Sequence, residues 1–182
     1  MGGECTINNN KLVHLDNVDR LGDAGIFQYY TVNGGWQTFV RVVNNSDQVV
    51  SIKLRFLEAA NSREVLDFVV FLSPYDMWSG WTAPNAIGNG NPGVVTNDTS
   101  CLHPLPGSNL LEGFQVLPDN HYGAEFQTRA FINDPSSPAQ YDDGGNFDHT
   151  LLERTSEGHI EIIGLAQHDP TSAFGLAGKH SS

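Results

Sequence analysis

Hydrophobic and polar positions alternate most clearly between Tyr29 and Trp81. Val50, Ile52, Leu54 and Phe56 are interleaved with Ser51, Lys53 and Arg55, the period of two that buries one strand face and wets the other. A helix would scatter Lys53 and Arg55 among the core positions. Upstream, Trp36–Val43 is rich in aromatic and β-branched residues suited to a pleated surface. Asn44-Asn45-Ser46-Asp47 tolerates positive φ and bonds its own backbone, which predicts a hairpin turn between Trp36–Val43 and Val49–Glu58. Gly34-Gly35 is assigned the same role after Phe27–Val32, giving a three-stranded meander. Val65–Leu72 is apolar on both faces apart from Asp67 and reads as a central, doubly covered strand. It ends at Ser73-Pro74-Tyr75-Asp76, because proline has no N–H for the ladder. The intervening Glu58–Glu64 is either a helical turn or a plain loop.

Outside this run, Leu12-Val13-His14-Leu15, Val94-Val95-Thr96, Tyr122–Ile132, Leu151-Leu152-Glu153 and His159–Leu165 are the remaining strand candidates. Asn97–Pro118 reads as irregular, broken by Pro104, Pro106 and Pro118, and Asn133–Phe147 as a long loop. These elements predict an all-β chain, a two-sheet antiparallel β-sandwich of the immunoglobulin-like or jelly-roll kind. The expected organisation is an N-terminal arm (1–25), a β-sandwich domain (26–166) and a C-terminal tail (167–182).

Composition agrees. The chain has 182 residues, 19 of them Gly and 9 Pro, with only 16% charged, a turn-rich make-up in a length that supports one core. Its net charge of −12, with nine scattered Lys and Arg, excludes a nucleic-acid reading, which needs a positive field to release counterions. Binding to an anionic membrane is disfavoured for the same reason. No apolar run approaches the ~20 residues of a transmembrane helix. Met1–Cys5 has neither the basic nor the apolar part of a signal peptide, so a processed form is expected. Cys5 and Cys101 are the two cysteines. Paired, they would close a long loop worth about 4 kcal/mol and require an oxidising compartment. Two unrelated thiols are the alternative, disfavoured because Cys5 lies in a polar arm.

Candidate chemistry is sparse. Gly88-Asn89-Gly90-Asn91-Pro92-Gly93 has the spacing of a dinucleotide motif but runs into a strand, where a helix N-terminus is required. His159-Ile160-Glu161 lacks the P-C-x-x-C partner of a zinc deaminase and reads as a wet strand face. HExxH and G-x-S-x-G are absent. These gaps make a non-enzymatic role the expectation, with a hydrolase the outlying one. Asp142, Asp143 and Asp148 flank Gly144-Gly145 and could hold calcium, although the EF-hand register is missed and a solvated acidic loop is the plainer reading. Asn44-Asn45-Ser46 and Asn97-Asp98-Thr99 are formal glycosylation sequons. Tyr75, Trp78 and Trp81, with Tyr141 farther on, are expected first to cap the core. Trp78, Trp81 and Tyr141 are alternatively a glycan-stacking platform.

The segments YYTVNGGWQTFVRVVNNSDQ, KLRFLEAANSREVLDF, LSPYDMWSGW, NDTSC and ERTSEGHIEII resemble those of a group of secreted or surface-exposed bacterial proteins of uncharacterised function. The resemblance implies export and a β-sandwich, and supplies no catalytic residues. The leading expectation is an extracellular or cell-surface structural protein (a periplasmic one is the variant). It would be a homo-oligomer or filament subunit whose terminal arm adds a strand to a neighbour. The alternative is a carbohydrate-binding module, calcium-dependent if the acidic loop binds metal.

Overall fold

The computed structural model describes residues 24–60, 62–104, 106–107, 113–127, 152–169 and 171. Ten strands follow in chain order: β1 (Ala24–Thr31), β2 (Phe39–Val43), β3 (Val49–Glu58), β4 (Glu64–Leu72), β5 (Met77–Ala83), β6 (Gly93–Thr96), β7 (Cys101–His103), β8 (Gln115–Leu117), β9 (His121–Glu125) and β10 (Glu157–His168). They make two antiparallel five-stranded sheets, one ordered β1-β10-β3-β4-β7 and the other β2-β5-β6-β9-β8. The sheets pack face to face over Tyr30, Leu54, Phe56, Phe68, Trp78, Phe114, Phe126 and Ile160. The β-sandwich expected from the alternation is the fold.

The expected meander is corrected. β1 pairs with β10 and β2 with β5, so the segments flanking Asn44–Asp47 belong to different sheets. The pairing registers explain why. β3 and β4 place Val50 opposite Leu72, and β2 and β5 place Val43 opposite Met77. Residues 39–58 and 64–83 therefore form one long hairpin that bends from the second sheet into the first. Residues 93–103 repeat the pattern, with Trp81 opposite Val95 in one sheet and Phe71 opposite Cys101 in the other. Three long bent strands thus run through both layers, the way sandwiches turn corners. The short β7 and β8 fall within the segment expected to be irregular.

Each bend is held by one Asn or Asp side chain. Asn44, 5% exposed, donates from Nδ2 to the Gln48 and Ser73 carbonyls, both at 2.7 Å, while its Oδ1 accepts from the Ser46 N–H and hydroxyl. Asp76 accepts from the Ser73 and Met77 N–H groups. Asp98 accepts from the N–H groups of Ser79 and Ser100. These are backbone donors and acceptors that a bent ladder leaves unpaired and that burial would otherwise make costly.

At the other end, the β3–β4 turn closes on Glu58. Its fully buried carboxylate accepts from the N–H groups of Ala60 and Arg63 and pairs with Arg154 at 3.3 Å. Arg154 comes from the 3-10 turn Leu152–Ser156, which feeds β10 between β1 and β3. Tyr30 donates its hydroxyl to the Thr155 carbonyl, and burial, aided by the negative charge of Glu58 and Glu157, pushes its phenol well above the ordinary range. Gly158 is required beside it. A Cβ there would overlap the Leu57 carbonyl oxygen and stand 2.8 Å from the Tyr30 ring.

Candidate functional site

The two outer faces of the sandwich differ in chemistry. On the β1-β10-β3-β4-β7 sheet, Arg55 bonds Glu64 at 2.7 Å and Glu161 at 2.8 Å, and Lys53 pairs with Asp67. Glu161 and His159 share this face, as the period of two requires, and Glu161 is spent on the ion pair. This is a solvated surface, whose pairs contribute little to stability individually.

The opposite sheet carries apolar residues outward. Phe39 stacks on Trp81 with centroids 5.8 Å apart and planes 14° from parallel. His121 meets Trp81 edge-on at 5.8 Å, and the Arg41 guanidinium lies 5.6 Å from the Phe39 ring centre. Trp81 also packs against a small satellite core of Ala83, Ala86 and Val95, joined by Ile87 and Leu117. Ala86 and Ile87 belong to the glycine-rich loop that resembled a dinucleotide motif. That loop joins two paired strands and folds back over the β6–β9 half of the face, so close that a Cβ at Gly123 would overlap the Ala86 carbonyl. Asn89 and Asn91 tie it to Glu125. No described segment covers the β2–β5 half, where Phe39 is 58%, Val43 61% and Met77 42% exposed.

The expected platform is therefore corrected in part. Trp78 has no exposed surface. It lies in the core, 5.6 Å from the Phe68 ring, and cannot stack on a ligand. Trp81 does reach the outer face, where it already has ring neighbours on two strands. The signal was in the sequence: residues three apart on one strand must point to opposite faces, so Trp78 and Trp81 could never have shared a platform. The exposed Phe39, two residues upstream of Arg41, is the partner that the sequence reading missed.

The remaining candidates divide by position. Tyr141, Asp142, Asp143 and Asp148, and with them the proposed calcium loop, lie outside the described residues, as do Cys5 and the Leu12–Leu15 patch. Cys101 on β7 is not a free thiol. The Asn44 sequon is corrected, because its amide is buried and bonded at the bend, whereas Asn97 is exposed. Among the described residues, no group of three His, Cys, Asp or Glu side chains is placed to hold a metal, and no helix is long and apolar enough to cross a membrane.

Sheet edges form the second feature. Among the described residues β1 is paired on one side only, with β10, and its Ile26 (70%), Phe27 (37%) and Tyr29 (57%) are exposed. A bulge interrupts the β1–β10 register between Phe27 and Tyr30. The bulge divides the β1–β10 ladder into Ala24–Phe27 and Tyr30–Thr31. Compared with known proteins, the chain matches no family model, and no curated protein or solved structure resembles it significantly.

Proposed function

We propose that the protein is a non-enzymatic extracellular or cell-surface structural subunit that self-associates by strand addition at β1. The observation that carries this reading is that β1, among the described residues, has a strand partner on one side only. β1 presents exposed Ile26, Phe27 and Tyr29, and residues 24–43 contain a single charged side chain, Arg41. Sheet edges are ordinarily blunted by lysines, proline or a covering segment. Among the described residues the bulge after Phe27 is the one such device, and the stretch before it, Ala24–Phe27, has the four-residue length of Leu12–Leu15 of a neighbour. The tail beyond β10, after His168, is the other candidate donor.

Light scattering and electron microscopy over a dilution series test the reading. Assembly that grows with concentration and is lost in Ile26→Lys, with the circular dichroism unchanged, is the expected result. A monomer at every concentration would overturn it. The glycan alternative, now resting on Trp81 and Tyr141, predicts binding on a glycan array; chelator sensitivity would implicate Asp142, Asp143 and Asp148. Array binding by a protein that stays monomeric replaces the structural reading. Export is the compartment in which a Cys5–Cys101 bridge would persist.

A further inference from the structure

The outer face of the β1-β10-β3-β4-β7 sheet changes character along its length. Lys53, Arg55, Asp67 and Glu161 form its wetted, ion-paired part. Toward β7, Phe71 sits opposite Ser51 of β3 and Cys101 of β7. Val70 and Leu72 on either side of Phe71 point into the core, as does Ile52 beside Ser51, so Phe71 and Ser51 face outward. Outward residues of a two-layer sandwich are ordinarily polar and wet. Phe71 is nevertheless 3% and Ser51 5% exposed, and Phe71 is a member of neither hydrophobic cluster. His168, at the end of β10, lies 3.4 Å from the Ser51 hydroxyl, and burial lowers the pKa of its imidazole. A further layer therefore covers this part of the face. Cys101, level with Phe71, is disulfide-bonded, and the sequence has one other cysteine, Cys5.

We infer that Cys101 is bridged to Cys5 of the same chain, and that the arm around Cys5 lies across β7 and β4 as the cover over Phe71 and Ser51. The distances suit it. Phe71 and Ser51 are one and two strand spacings from Cys101, about 5 and 10 Å, and two extended residues span about 7 Å. In an extended arm Ile7 falls on the same side as Cys5, the side turned to the sheet, which sets it over Phe71. The inference does not rest on the β1 reading. Leu12 is seven residues past Cys5, about 23 Å of extended chain, so a bridged arm still delivers Leu12–Leu15 to a neighbour's edge.

Two measurements on the full chain test this. Non-reducing proteolysis and mass spectrometry should give one linked pair of peptides, holding Cys5 and Cys101, from a band of single-chain mass. A bridge between two chains would overturn the inference. Hydroxyl-radical footprinting reads the cover. Phe71 should be protected in wild type and oxidised several-fold faster both in the double variant Cys5→Ser/Cys101→Ser and in Ile7→Asp. Phe68, buried in the core, should stay protected throughout and reports that each variant is folded. Ile7→Asp keeps the bridge, so it guards against the cysteine variant acting through lost folding, and the peptide map on wild type decides the pairing independently of both. Phe71 still protected in both variants would assign the cover to another segment, such as the tail beyond His168, and overturn the inference. A wild type that is monomeric at every concentration, with the peptide pair found and Phe71 uncovered in the variants, sinks the β1 reading and leaves this one standing.

Discussion

At the scale of single residues, the fold depends on polar side chains that sequence patterns treat as turn material. Asn44 uses its amide in both senses, donating to two carbonyls and accepting from Ser46. Asn44→Ala is expected to cost about 2–3 kcal/mol, the penalty for stranding buried backbone groups. Asn44→Asp should cost at least as much despite its matching shape, because a carboxylate cannot donate to those carbonyls; urea titration of both variants checks this. Arg154→Met should cost about 3–5 kcal/mol by removing the guanidinium that faces the buried Glu58 carboxylate, read by the same titration. Tyr30 sets an alkaline limit. Its folded pKa lies above its unfolded one, so the native state keeps the phenol neutral while the unfolded chain ionises. That contribution is complete below about pH 10 and is lost as pH rises beyond it. Tyr30→Phe should be less stable at neutral pH, having lost its bond to Thr155, yet show a shallower decline in melting temperature above pH 10.

At the scale of elements, strands were legible and corners were not. Val49–Glu58 and Val65–Leu72 announce themselves by alternation and apolar run, and both appear within a residue of the expected bounds. Asn44–Asp47 was readable as a change of direction, but a tight hairpin and a bend between sheets use the same Asn, Ser and Asp chemistry. What separates them is the identity of the strand alongside, here β5 in place of β3, and that is a long-range fact. β7 and β8 escaped notice because three residues are too few to display a period. The aromatic ladder was half visible: Trp81 was named, but Phe39 could join it only once β2 was laid beside β5. Gly158→Ala is the sharpest test of an element junction. Its overlap with Leu57 and Tyr30 should destabilise the protein by more than about 2 kcal/mol, among the larger single-residue effects, as measured by thermal melting.

For the whole molecule, the acidic surplus governs association. With a net charge of −12 and an isoelectric point near 4.7, copies repel at neutral pH, and the repulsion is screened beyond about 8–10 Å at physiological salt. Self-association should therefore tighten as salt is raised, the reverse of a contact driven by ion pairing between opposite charges; sedimentation at low and high salt distinguishes the two. The bent strands carry a mechanical consequence. Because residues 39–58, 64–83 and 93–103 each pass uncut from one layer to the other, neither layer can slide across its mate or peel off alone. Heat should accordingly melt both in a single calorimetric event, with van't Hoff and calorimetric enthalpies in agreement, and a pull on the chain should meet one yield point where two separately hinged plates would give two.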